Sequence, residues 1–432
     1  PPAMPLSWVP SRYLWWWRAS RVVQDYDLAG AWREVIDEFP FFSFLLGDLH
    51  PHVLVIPFAL LAIGLSLNLY LGGARGKIRW LWIDLGMNRQ TFWAAVLIIG
   101  GLAFLNTWDF PMYVVLFSLV YVGHTLIDER RGTKIESGDL ELTGGDDQEF
   151  HQDVSVIRLI REILSIAFPL AVTGILIYVP FYVGFSSQAG GILPNLVYST
   201  RGIHLWVMFG SLLLPIFTYL LFARSRLKDQ FNMSRGFFIA GGLILVLWLL
   251  SLGFGFVIAN IPLLGNIFMF SIGGGSSLDL IAESISRRLS GLAFVTIFLL
   301  LAFTFGYLFR LVRPKNLSED KSAGNPREDV VMDPGSKNSL KSAAHDFVII
   351  LILMGGLLVI FVEFFYLRDQ FGSRMNTIFK FYYQTWIFWG LAAAFGIGIL
   401  LKGLRGVWSI VFRIGFGLLL FASLIYPLMS LW

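Results

Sequence analysis

Three short stretches of this 432-residue chain gather acid, base and amide side chains at spacings that could do chemistry. The first runs from Phe39 to His52 and reads FPFFSFLLGDLHPH. It places two of the six histidines of the chain, His50 and His52, within four residues of Asp48. A carboxylate beside imidazoles can act as a base with its orienting group, or supply oxygen and nitrogen ligands to a divalent ion such as Mg or Mn. Asp48, His50 and His52 are the candidate ligands, Asp48 is also a candidate catalytic carboxylate, and His50 a candidate substrate-binding residue. A plainer reading exists. Pro51 suits the first turn of a helix, and Asp48 or His50 could cap it.

The second stretch is Asn106-Thr107-Trp108-Asp109-Phe110-Pro111, a tight polar turn between two apolar runs. Asp109 is the second candidate catalytic carboxylate, and Asn106 a candidate substrate-binding amide. The alternative is that Asp109 merely caps the helix that follows. The third stretch, residues 367–384, reads LRDQFGSRMNTIFKFYYQ. If residues 374–384 are helical, Asn376, Lys380 and Tyr383 share one face through steps of four and three. Arg374 and Lys380 could then hold a phosphate or diphosphate, or simply snorkel to the interface. Glu363 falls at the membrane end of the preceding run. A carboxylate there is costly unless paired, with Arg368 or Arg374 as the candidate partner.

The elements that must position these residues are membrane helices. Hydrophobic residues make up 56% of the chain and charged residues only 14%, too apolar and too poorly charged for a soluble domain. Apolar runs long enough for a bilayer predict about ten spans, near 52–72, 91–105, 109–127, 165–183, 203–223, 236–257, 290–310, 346–366, 381–401 and 407–429. The expected fold is therefore all-α, a polytopic integral membrane helix bundle. Residues 1–51 form an interfacial segment, with Trp15, Trp16 and Trp17 beside Arg18 and Arg21. Helices at 52–127, 154–312 and 346–432 are separated by two hydrophilic stretches, 128–153 and 313–345, expected to be flexible.

Alternate gaps between the spans carry most of the arginine and lysine, among them Arg75, Lys77, Arg130, Arg131, Arg224, Arg226, Arg313, Lys315, Lys402 and Arg405. The positive-inside rule puts those gaps in the cytoplasm and all three polar motifs outside, in the plasma membrane of a bacterium or archaeon. An outside N-terminus without a signal peptide suggests that something precedes Pro1 or that a partner aids insertion. The net charge of +4 fits cytoplasmic loop charge and gives no reason to expect nucleic acid. Cysteine is absent, which removes thiol chemistry from consideration. The glycine run Gly273–Gly275 lacks a leading strand, so 258–289 is expected to be a loop, not a phosphate cradle. Residues 184–202, with Asn195, Tyr198 and Arg201, could form a lid.

FPFFSFLLGDLHPH, NTWDFP and RMNTIFKFYYQTW resemble the YYY-type (Chlor_Arch_YYY) family of multi-span membrane proteins, a likeness running from the tryptophan-rich start to the ninth span. That family is similar to GT-C glycosyltransferases, so the resemblance implies a GT-C-like bundle and sugar transfer from a polyprenyl-phosphate donor outside the membrane. Members usually carry an earlier membrane half with a tyrosine triplet. No Tyr-Tyr-Tyr occurs here, so the chain looks like the later part of such a protein, completed by a missing half or a partner chain. The alternatives are a non-catalytic subunit of a larger membrane complex and a lipid or solute transporter. The latter should place paired polar residues near mid-membrane.

Overall fold

The computed structural model describes residues 14–47, 49–139, 155–186, 190–227, 230–274, 276–290, 293–312 and 337–431. Asp48 and most of the two hydrophilic stretches fall outside the described residues. The chain opens with a small assembly: α1 (Trp15–Ala19), the antiparallel pair β1 (Asp25–Tyr26) and β2 (Trp32–Arg33), and α2 (Pro40–Leu45). Then α3 (Pro51–Leu54) leads into α4 (Ile56–Tyr70), and the hairpin β3 (Ile78–Trp80) with β4 (Ile83–Leu85) leads to α5 (Arg89–Leu105). After these come α6 (Asp109–Asp139), α7 (Val156–Ile177), α8 (Val179–Gly184), β5 (Ile192–Pro194), α9 (Gly202–Arg226) and α10 (Met233–Ala259). The chain continues with α11 (Pro262–Ser271), α12 (Ser277–Ser290), α13 (Ala293–Leu308) and α14 (Lys337–Phe364). It ends with β6 (Phe365–Leu367), α15 (Met375–Gly403) and α16 (Val407–Ser430).

Among the described residues nine helices are long and apolar enough to cross a membrane, and α5 is a shorter apolar helix. These ten coincide with the ten expected runs, and the chain is a polytopic helical membrane protein. Helices suit that setting because each satisfies its backbone groups internally where no water is at hand. The fourth run differs in its start. The helix begins at Val156, where Ser155 caps it by accepting from the Arg158 N–H at 3.2 Å.

The bundle is centred on α14, 89% of whose apolar window is buried, while α16 with 6% and α10 with 17% lie at the periphery. Association in lipid depends on close backbone approach, because tails are as apolar as the helices. Glycines supply it here. A Cβ on Gly100 would lie 3.0 Å from the Gly174 Cα, joining α5 to α7. One on Gly236 would lie 2.1 Å from the Ala302 carbonyl oxygen, joining α10 to α13.

The helix ends form two faces. At one, which carries the hydrophilic stretches, Asn88, Ser155 and Asn232 cap α5, α7 and α10. The other carries the three polar motifs and a cover of extramembrane segments. Pairing of β5 with β6 sets Ile192 opposite Leu367 and Pro194 opposite Phe365. The side-chain amide of Asn195 donates to the carbonyls of Tyr198, Val362 and Glu363 at 2.9–3.1 Å. Residues 190–200 are thus tied down, unlike a hinged lid. Residues 258–289 are mostly helical, in contrast to the loop expected. Ser276 and Asp279 exchange side-chain-to-backbone bonds at the start of α12, and Glu283 pairs with Arg287 one turn on. Gly273, at φ +98°, lets the turn between α11 and α12 pass against β1–β2, where a Cβ would meet the Ala29 nitrogen at 2.8 Å.

Candidate functional site

The first turns of α15 present three adjacent ridges, and each meets a different part of the motif face. Ile378 and Tyr382 continue the ridge that begins at the N-cap residue Arg374. Phe379 and Tyr383 form the second ridge, and Asn376, Lys380 and Gln384 the third, each by steps of four.

The first ridge is a structural joint. Arg374 is fully buried and makes a two-pronged pair with Asp25, Nε to Oδ2 at 2.8 Å and Nη2 to Oδ1 at 2.7 Å. Its remaining nitrogen meets Glu363 Oε1 at 2.8 Å. Glu363 also accepts from the Thr200 N–H at 3.1 Å and from the Thr200 hydroxyl. Glu363 therefore takes Arg374 of the two expected partners, while Arg368 packs beside Gly190. The expected phosphate ligand at Arg374 meets a guanidinium already occupied by two carboxylates. Arg288 adds a second buried cation, donating to Leu196 O and Glu363 O at 2.7 Å, and burial pushes it down to about 10.

The second ridge meets the first motif. His52 is buried, its Nε2 3.1 Å from the Ser43 hydroxyl and its ring edge-on to Phe379 and Tyr383, with centroids 4.4 and 4.7 Å away. Ser43 also stands beside the Tyr383 hydroxyl. His50 occupies the cap position of α3 with no side-chain bond to the helix, its ring centroid 5.5 Å from that of His52. Asp48 lies outside the described residues. Among the described residues no group of three His, Asp or Glu side chains could hold a metal ion. The two histidines offer no third described ligand, and one already engages Ser43, so the described part of the motif does not make up a metal site.

The third ridge meets the second motif. Asp109 opens α6 and is fully buried, and among the described residues its carboxylate oxygens make no hydrogen bond of good geometry, although two side-chain amides lie within reach. It does not cap its helix through a bond. The amides of Asn106 and Gln384 and the ammonium of Lys380 stand beside it. Gln384 Oε1 accepts from the Tyr113 hydroxyl at 2.8 Å, which leaves its N–H groups as the donors available to Asp109. Lys380 sits over the Trp108 ring, 5.3 Å from its centroid. Asn376 is set one turn before Lys380 and donates to Asp369 Oδ2 at 3.0 Å. A buried carboxylate costs several kcal/mol unless a proton, a cation or a ligand compensates it. The arrangement of Asp109, Asn106, Gln384 and Lys380 can take up a proton and hold an anion side by side.

The structure thus sets Asn106 and Asp109 against the ridge that carries Asn376 and Lys380, and His52, with His50 beside it, against the ridge that carries Tyr383. Gln384, Tyr113 and Ser43 are additional members. Gln384 continues the Asn376–Lys380 spacing and was accessible to helix periodicity. Tyr113 follows Asp109 by one turn. Ser43 carries no such signal, since only the break between α2 and α3 folds it back on His52. Asp25, 349 residues from Arg374, carries none either.

The model of a family described as uncharacterized membrane protein (DUF2298) matches residues 3–389. No curated protein and no solved structure matches the chain. The family description assigns no activity, and the comparisons supply no link to the YYY-type family or to GT-C glycosyltransferases.

Proposed function

The chain belongs to the DUF2298 family of uncharacterized membrane proteins, and from its site we propose that it is a membrane glycosyltransferase, or the later half of one, using a polyprenyl-phosphate-linked sugar. The observation that carries this is the fully buried carboxylate of Asp109, set between the amides of Asn106 and Gln384 beside the Lys380 ammonium at a helix end. Transfer from a lipid phosphate needs that pair of functions. An acceptor hydroxyl attacks the anomeric carbon, its proton passes to Asp109, and the bond from that carbon to the phosphate oxygen breaks. The charge left on the departing phosphate falls to Lys380, whose position over Trp108 holds the cation in a partly dehydrated setting where its field acts strongly. Asn106 and Gln384 are placed to orient the carboxylate, and Asn376 holds Asp369, a second carboxylate whose charge reaches Lys380. The sharing of the Ser43–His52–Tyr383 ridge with the same helix makes that group the candidate acceptor-side wall. Asp48, with His50 and His52, remains a proposed site for a divalent ion.

The test is sugar transfer from a polyprenyl-phosphate donor by the full chain in liposomes. Asp109→Asn should lower the rate by about 10²–10⁴-fold, the range for loss of a positioned base. Lys380→Gln should lower it further than Lys380→Arg. Transfer undiminished by Asp109→Asn removes the assignment.

A further inference from the structure

A second polar feature of the motif face lies apart from Asp109. A cleft of about 480 Å³ opens between the β1 strand, the start of α9 and the end of α12. Its lining includes Asp25, Tyr198, Ser199, Arg201 and Arg287. Each charge except one is already matched. Asp25 is held in its two-pronged pair with Arg374, a cation it shares with Glu363. Arg287 pairs with Glu283 at 2.7 Å and donates to the backbone carbonyls of Tyr26, Asp27 and Val197, so it braces the wall. Arg201 is exposed, and among the described residues its guanidinium has no partner.

Two further features point to an anion there. Arg201 is the N-cap residue of the 25-residue helix α9, and no side chain caps that end, in contrast to α5, α7 and α10. The positive end of the helix dipole is therefore left for a ligand. Tyr198 is 2% exposed, lines the cleft, and its hydroxyl has no hydrogen-bond partner among the described residues. The Ser199 hydroxyl in the same lining is likewise buried and unpartnered. Buried hydroxyls without partners are uncommon, and both belong to residues that line this cleft.

The surroundings choose the kind of anion. Below Arg201, α9 turns Ile203, Trp206 and Val207 outward at 70, 40 and 56% exposure, an apolar strip running into the membrane span. An anion bound at Arg201 can thus carry acyl or prenyl chains that lie along α9. We propose that this cleft binds the phosphate of an anionic membrane lipid, with Arg201 as the cation, the Tyr198 and Ser199 hydroxyls as donors, and the outer face of α9 as the seat of its chains. This site is separate from the one at Lys380 and does not depend on the transfer reaction.

Native mass spectrometry of the full chain in non-ionic detergent tests it, with dioleoyl phosphatidic acid, dioleoyl phosphatidylcholine and inorganic phosphate as probes. Arg201→Gln should lose one bound phosphatidic acid per chain relative to the parent, a weakening of roughly tenfold or more for a charge-assisted contact. Tyr198→Phe should weaken it less, and Arg201→Lys should retain part of it. A melting temperature unchanged by Arg201→Gln shows that the loss is local. Equal retention of phosphatidic acid by Arg201→Gln and the parent overturns the proposal, as does equal retention of phosphatidylcholine. Displacement of the lipid by inorganic phosphate at equal concentration reassigns the cleft to a soluble anion and overturns the lipid assignment. Lys380→Gln reports on the transferase site alone, so the two assignments fail separately.

Discussion

Arg374 holds the charge balance of the motif face. It links a carboxylate from the N-terminal segment, Asp25, to one from the end of α14, Glu363. Replacing it by glutamine leaves Asp25 and Glu363 buried with Arg288 as the nearby cation and breaks both ion pairs, which costs about 3–5 kcal/mol. Thermal unfolding of the detergent-purified chain should show a large fall for Arg374→Gln. A smaller fall is expected for Arg374→Lys, because an ammonium cannot reproduce the two-pronged geometry. A melting temperature unchanged by Arg374→Gln would contradict the joint. Asp37 offers a pH-dependent counterpart outside the membrane spans. Burial raises it from 3.8 to about 7, against the opposing N–H groups of Val23 and Val22 and the charge of Arg21. Between those two values the folded chain keeps a proton that the unfolded chain has released. Stability therefore falls as pH rises through that window and levels off above about 7. Asp37→Asn should flatten this slope, removing a loss on the order of a few kcal/mol. Parallel melting curves of parent and variant from pH 4 to 8 would rule this out.

At the scale of elements, packing is set by glycines that periodicity alone does not distinguish. Gly236 and Gly242 stand in the same helix, α10, six residues apart. A methyl group on Gly236 would meet the Ala302 carbonyl oxygen at 2.1 Å and the Gly306 nitrogen at 2.8 Å, both backbone atoms that cannot rotate away. One on Gly242 meets nothing within 4 Å. Gly236→Ala should thus destabilise the α10–α13 contact by about 1–3 kcal/mol, whereas Gly242→Ala should be neutral or slightly stabilising. Thermal unfolding of the two variants decides it. Helix existence was legible for a related reason: hydropathy over 18–20 residues records the solvent each segment faces, and all ten apolar segments emerged from it. What stayed hidden depends on who faces whom. The Asn376–Lys380 ridge could be read from the step of four, but its partner, Asp109, is a contact between distant segments. The 258–289 region does not read as helical because α11 and α12 are short and α12 is charged, and α12 is held by the Ser276–Asp279 cap and the Glu283–Arg287 pair. Neither device leaves a hydrophobic period.

At the scale of the whole molecule, the two faces differ in how they end their helices and in what covers them. One face carries the basic gaps, with Asn and Ser caps on α5, α7 and α10. The other carries the uncapped starts of α3, α9 and α15, the buried carboxylates and the cover built from 14–47, 190–201 and 260–290. Basic loop charge sets orientation because it resists translocation. The bundle should therefore hold the second face outside the cytoplasm, where a lipid-linked donor and the Arg201 cleft would both be reached from the outer leaflet. The absence of cysteine makes this directly measurable. Leu49, 76% exposed on the motif face, and Arg405, exposed in the turn between α15 and α16, can each be replaced by cysteine in an otherwise thiol-free chain. In intact cells a membrane-impermeant maleimide should label Leu49→Cys and spare Arg405→Cys until the membrane is broken. The reverse pattern would place Asp109, Lys380 and the cleft on the cytoplasmic side, and with them any lipid substrate they take.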